Sequence, residues 1–174
     1  MNMQIELIPA SELADESFNI VINDLKPRET YRVEMFLSDY YCINAPMLLA
    51  HDVLWKSTAT FVSDKNGIID ISQTPSCSGS YEGISTMGLF FNAKPLTNER
   101  KKLPNSLSEI PLLDHFFVDI KIMQGNTVIA ERTFTRHYMS LQISHQDIYG
   151  KHFQGRLFYD KKAIKTPSID YCER

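Results

Sequence analysis

The stretch Asp52–Pro95, DVLWKSTATFVSDKNGIIDISQTPSCSGSYEGISTMGLFFNAKP, decides how this chain is read. Trp55, Ser57, Ala59 and Phe61 alternate with Lys56, Thr58 and Thr60, the period of a strand with one buried and one wetted face. Asp64-Lys65-Asn66-Gly67 follows as a turn in which glycine supplies the left-handed residue, and it predicts a hairpin into a strand over Ile68–Ser72. A long Ser/Gly loop, Ser76–Gly88, then leads to Gly88-Leu89-Phe90-Phe91. That run is apolar at successive positions and is read as a strand covered on both faces, which calls for a loop, another domain or a partner over its outer side.

Working outward, the same alternation recurs. Phe18, Ile20 and Ile22 form one set, and Tyr31, Val33, Met35 and Leu37 a second. Phe116, Val118, Ile120 and Ile122 form a third, turning at Gln124-Gly125-Asn126 into a strand over Val128–Thr135. Leu141–Ile148 and Phe153–Tyr159 read as two more strands. The best helical candidate, Ala10–Glu16, is short, and Leu96–Leu113 reads as a loop broken by Pro104 and Pro111. Seven or eight short strands with frequent turns predict an all-β, immunoglobulin-like antiparallel sandwich. Its expected extent is 17–165, after an N-terminal extension over 1–16 and before a tail over 166–174.

Composition narrows the function classes. The 174 residues, 43% hydrophobic and 22% charged with a net charge of −3, have ordinary globular proportions, and no basic face points to nucleic acid. No apolar run approaches the ~20 residues of a membrane span, and the acidic N-terminus lacks a signal-peptide core. Cys42, Cys77 and Cys172 have neither zinc spacing nor the even count of a disulfide framework, although Cys42 and Cys77 could in principle pair. These features predict a cytoplasmic, reduced protein without metal or other cofactor.

Catalytic signals are sparse. Acyl chemistry through a nucleophile elbow needs G-x-S-x-G or its cysteine counterpart with a histidine and a carboxylate, and no elbow occurs. Ser78 and Ser80 read as turn-capping serines in a glycine loop. His51, His115, His137, His145 and His152 show no ligand spacing, though His137 and His145 could approach across a hairpin.

The residues nonetheless carry a resemblance. Trp55–Phe61, the Asp64–Gly67 turn with Ile68–Ser72, Ser78-Gly79-Ser80-Tyr81-Glu82-Gly83 followed by Met87-Gly88-Leu89-Phe90, Ala130–Arg136 and Gly155-Arg156-Leu157-Phe158-Tyr159 occur in order over Phe18–Pro167. Together they resemble the N-terminal domain of the acyl-CoA thioester hydrolase/bile acid-CoA:amino acid N-acyltransferase family. The resemblance implies an immunoglobulin-like sandwich that packs on a C-terminal α/β-hydrolase domain bearing the catalytic triad. It implies no catalytic residue in this chain, which reaches Arg174 about where the hydrolase's first strand is expected. Cys172 has no elbow around it. The chain is then a domain of a longer protein, partnered in cis or from an adjacent frame, or a natural stand-alone sandwich acting as an interaction module. Acyl-CoA would be met only through the hydrolase domain, and hydrolysis and acyl transfer both stay open. Candidate contact residues are Ser78, Gly79, Ser80, Tyr81, Gly83, Met87, Phe90 and Phe91.

Overall fold

The computed structural model describes residues 3–10, 12–40, 53–97 and 114–162. Its chain order is β1 (Gln4–Ile8), β2 (Asn19–Asn23), β3 (Thr30–Ser38), β4 (Trp55–Val62), β5 (Ile69–Asp70), β6 (Ser78–Gly79), α1 (Gly88–Phe91), β7 (Lys94–Pro95), β8 (His115–Gln124), β9 (Thr127–His137), β10 (Ile143–Tyr149) and β11 (Gln154–Asp160). Two compact units result, Met1–Tyr138 and Met139–Arg174.

In the first unit β1, β2 and β5 form one sheet, and β6-β4-β3-β8-β9 with β7 beside β4 form the other. All the strand pairs are antiparallel. The chain passes between sheets after β2, after β4 and after β5, the interleaving of an immunoglobulin-like sandwich. The alternating residues supply the core. Ile20, Ile22, Val33, Met35, Leu37, Ala59, Phe61, Val118, Ile120 and Ile122 are all buried in one cluster. Removing a large apolar side chain of this kind from water contributes roughly 1.5–3 kcal/mol, which is why the period-2 positions fix the register. The opposite face of the larger sheet is wet and charged. Glu34 sits between Arg32 Nε at 3.1 Å and Lys56 Nζ at 3.0 Å, and Lys121 reaches Glu131 at 3.5 Å.

Among its described residues, the second unit pairs β10 with β11 as an antiparallel hairpin. Asp147 faces Arg156 across it at 2.7 Å, and that pairing holds the Asp147 carboxyl below the usual range.

Three expectations need correction. β1 lies in the stretch read as an extension; Ile5 and Leu7 alternate inward and are buried, so the sandwich begins before residue 17. The Ala10–Glu16 helix does not form over the described residues of that stretch. Seven residues are too few to offset helix nucleation unaided, and Leu13 instead makes a parallel bridge to His137. Finally, the Asp64–Gly67 turn forms but does not close a hairpin. Asp64 Oδ1 accepts from the N–H groups of Asn66 and Ile68, both at 2.8 Å, and Gly67 takes φ +76°. A Cβ on Gly67 would lie 2.0 Å from Leu25 O. The turn therefore carries the chain to the other sheet, where β5 pairs β2, because β4 is already paired on both sides. Of the expected features, Cys42, Cys172, most of Leu96–Leu113 and the 166–174 tail fall outside the described residues.

Candidate functional site

The Ser76–Leu96 segment is built on the edge of β4. Ser76 and Gly83 form an antiparallel bridge with two 2.9 Å hydrogen bonds, closing the loop at its base. Ser76 is buried, and its Oγ lies 3.0 Å from Ser78 O and 2.9 Å from Tyr81 O. Cys77 N–H donates to Thr60 O at 2.8 Å and Ser80 N–H to Thr58 O at 2.7 Å, while Ser80 Oγ accepts from Thr58 N–H at 3.0 Å. The Ser80 hydroxyl is thus used as an edge-strand anchor, consistent with its reading as a structural serine. Between these anchors Gly79 takes φ +125°, and a Cβ there would lie 2.3 Å from Thr58 O. Only glycine lets the loop approach β4 this closely.

Gly88–Phe91 is a helical turn and not a doubly covered strand. Successive side chains rotate by about 100° instead of alternating. Leu89 points into the core, Phe90 is partly buried, and Phe91 is 74% exposed. The run looked apolar on both faces because one residue in it serves the core, one an aromatic cluster and one the surface. Asn92 closes the turn through Nδ2, which donates to Gly88 O at 2.8 Å.

Tyr81 covers this turn. Its ring lies where a Gly88 Cβ would stand, 2.4 Å from that position, so Gly88 is what allows the ring to pack there. Burial pushes the Tyr81 phenol up to about 12. The neutral phenol is the form the fold favours, so its contribution is intact below pH 10 and is lost as pH climbs towards 12. Tyr81→Phe is therefore expected to move the midpoint of alkaline unfolding, followed by circular dichroism, to higher pH. An unchanged midpoint would assign that transition to other groups.

Phe90 joins the turn to a cluster of rings. Its centroid is 6.1 Å from Phe18, 5.6 Å from Tyr40, 6.3 Å from Phe116 and 6.0 Å from Phe91. Trp55 meets Tyr40 edge-on at 5.8 Å. Met87 Sδ accepts from Phe18 N–H at 3.4 Å. The eight predicted contact residues consequently divide. Ser78, Gly79, Ser80, Gly83 and Phe91 are exposed, whereas Tyr81, Met87 and Phe90 are half-buried supports. Ile84, 61% exposed, belongs with the first group and was not singled out in the sequence. An apolar residue flanked by Gly83 and Ser85 in a polar loop was the signal available.

The remaining titratable groups are placed as follows. His137 meets His115 across β8 and β9, with ring centroids 5.7 Å apart, and His115 Nδ1 is hydrogen-bonded to Asp114. That bond holds the Asp114 carboxyl below its ordinary value. His145 packs on Phe158 within its own hairpin. Cys77 is an exposed free thiol. Among the described residues, no group of three or more His, Cys, Asp or Glu side chains is placed to hold a metal ion, and no helix is long and apolar enough to cross a membrane.

Comparison with known proteins bears on this arrangement. A family model described as the acyl-CoA thioester hydrolase/BAAT N-terminal region matches residues 15–149. The chain is 28% identical over 112 residues to acyl-coenzyme A amino acid N-acyltransferase 2 of Mus musculus, covering 63% of this chain and 24% of that protein. It is 30% identical over 95 residues to the mouse acyl-coenzyme A amino acid N-acyltransferase 1, covering 53% and 20%. To acyl-coenzyme A thioesterase 2, mitochondrial, of Rattus norvegicus it is 20% identical over 169 residues, covering 97% of this chain and 35% of the relative. The chain thus spans between a fifth and about a third of the length of these relatives.

Proposed function

This chain belongs to the acyl-CoA thioester hydrolase/BAAT N-terminal family, and from that premise we propose that it is the non-catalytic β-sandwich domain of an acyl-CoA thioesterase or acyltransferase. In this reading it packs on an α/β-hydrolase domain, helps shape the acyl site, and meets acyl-CoA only through that domain. The reading includes a cytoplasmic location. The observation that carries it is Phe91, a large aromatic side chain 74% exposed and backed by the Phe90, Tyr40 and Phe116 rings. An exposed aromatic backed by other rings, with exposed Ile84 in the same segment, is the residue type that anchors protein interfaces. The names of the relatives support the enzyme class, since they include acyl-CoA thioesterases and amino acid N-acyltransferases.

The test joins or mixes the chain with the α/β-hydrolase domain of a related thioesterase and follows complex formation and turnover of a long-chain acyl-CoA. Phe91→Asp is expected to weaken docking by roughly 30-fold, the equivalent of about 2 kcal/mol at an interface anchor. Melting of the isolated chain should be unchanged, because Phe91 is outside the core. Docking and turnover unaffected by Phe91→Asp would remove this surface from the interface. Failure of the wild-type chain to bind any such hydrolase domain would favour the stand-alone interaction module.

A further inference from the structure

We propose that the free edge of β9 is a β-augmentation site for an extended peptide carrying basic side chains. Along β9 the backbone groups alternate in direction. Tyr138 N–H donates to Asp114 O at 2.9 Å on the β8 side, whereas His137 N–H donates outward to Glu12 O at 2.5 Å and His137 O accepts from Ala14 N–H at 2.8 Å. By the antiparallel alternation, Thr135, Thr133 and Glu131 turn their N–H and C=O groups outward as His137 does. Among the described residues β9 ends its sheet, paired with β8 alone, and those outward groups have no backbone partner. The edge therefore already takes an isolated parallel bridge at its end, from the chain's own Leu13, and leaves the next three outward positions open.

Beside those open positions lies a cavity of about 430 Å³ whose lining includes Glu6, Leu7 and Glu12 together with Arg132, Thr133 and Thr135 of β9. Arg132 Nη1 donates to Ile5 O at 2.6 Å, and Leu13 bridges to His137. Five extended residues, at about 3.3 Å each, match the run from Glu131 to Thr135. Free peptide donors and acceptors in alternation call for another peptide backbone more than for a compact small molecule. Charge selects within that class. Arg132 is committed to Ile5 O and to the Phe134 ring, 4.8 Å away, while the cavity lining also holds two carboxylates, Glu6 and Glu12, the second with Oε2 4.0 Å from His137 Nε2. A strand with lysine or arginine at alternate positions complements them.

The probe is the acetylated, amidated peptide Thr-Lys-Val-Lys-Thr, titrated into the ¹⁵N-labelled 174-residue chain. Saturable shifts of the Glu131, Thr133 and Thr135 amides are expected, with a Kd near 1 mM or tighter, on the order of the weakest specific complexes. Backbone N-methylation of the peptide should weaken binding at least ~10-fold, because it removes donors and leaves the side chains in place. Replacing its lysines by glutamates should weaken it roughly as much. Thr133→Pro removes an outward N–H that β8 does not use, and should abolish the shifts while the amides of β3 and β4 stay where they are. The proposal is overturned if no saturable shift is seen, if shifts map away from β9, or if the N-methylated peptide binds equally well.

Discussion

Arg136→Ala is expected to lower folding stability by about 3 kcal/mol, a loss of roughly 10 °C in melting temperature for a chain of this size. Arg136 is 1% exposed on the inward face of β9, opposite Phe116. Its Nη2 donates to Glu16 O at 2.5 Å, and its guanidinium stacks 4.8 Å above the Phe18 ring. Burial pulls its pKa below the ordinary arginine range, opposed by the Glu16 and Asp15 carboxylates, and the group stays charged at neutral pH. Truncation strands a carbonyl, costing about 1–3 kcal/mol, and removes the ring contact, worth about 1 kcal/mol. Arg136→Met would fill much of the volume without the hydrogen bond and should recover part of the loss. Urea unfolding of the three proteins decides the matter. A cost below about 1 kcal/mol for the alanine variant would mean that Glu16 O finds another partner and that Arg136 does not tie β9 to the N-terminal segment.

Arg136 also marks how far the sequence could be read. The four inward sets on β2, β3, β4 and β8 were legible because a half-buried strand writes its burial directly into alternating residue types. β9 is harder. Its inward positions are Ala130, Arg132, Phe134 and Arg136, and two arginines hide the apolar face. Each of those arginines donates to a main-chain carbonyl of the N-terminal segment, Ile5 O and Glu16 O. The Gly125 turn, counted forward, would have placed them inward opposite Ile120 and Phe116, but only once the bulge between Ile122 and Met123 is known. β1 is hard to read because its three apolar residues in five break the alternation, with Ile8 directly after Leu7. The Asp64–Gly67 turn was read correctly in type and wrongly in destination, since local chemistry sets a turn's conformation while sheet pairing sets where the chain goes next. Of the candidate loop, the glycine and serine roles were readable from residue type. The division of Phe90 and Phe91 between interior and surface was not, because it depends on helical rotation in a segment too short to show a period.

The loop itself is tested by Gly79→Ala. The expected cost is about 2–4 kcal/mol, from a φ of +125° that side-chain-bearing residues avoid and a Cβ 2.3 Å from Thr58 O and 2.8 Å from Ala59 Cα. That cost has a cheap escape. The loop is held to β4 by a handful of hydrogen bonds at Cys77, Ser80 and Thr58, and it can detach while the Phe61 core stays intact. The variant should thus show a small change in global unfolding but a loss of amide protection at Cys77 and Ser80 of about 100-fold, the equivalent of roughly 2.7 kcal/mol of local opening. Gly83→Ala is the internal control. Gly83 has φ +84° but nothing within 4 Å of its would-be Cβ, so it bears conformational strain without the collision and should cost only about 1 kcal/mol. Equal effects at the two positions would mean that strain alone, and not the close approach to β4, explains the need for glycine at Gly79. Detachment also frees Tyr81 from the seat that Gly88 provides beneath its ring, and with it the support of the turn that presents Phe91. If that turn is the docking surface, Gly79→Ala should weaken hydrolase-domain binding while leaving Phe91 itself unaltered, and Gly83→Ala should weaken it less.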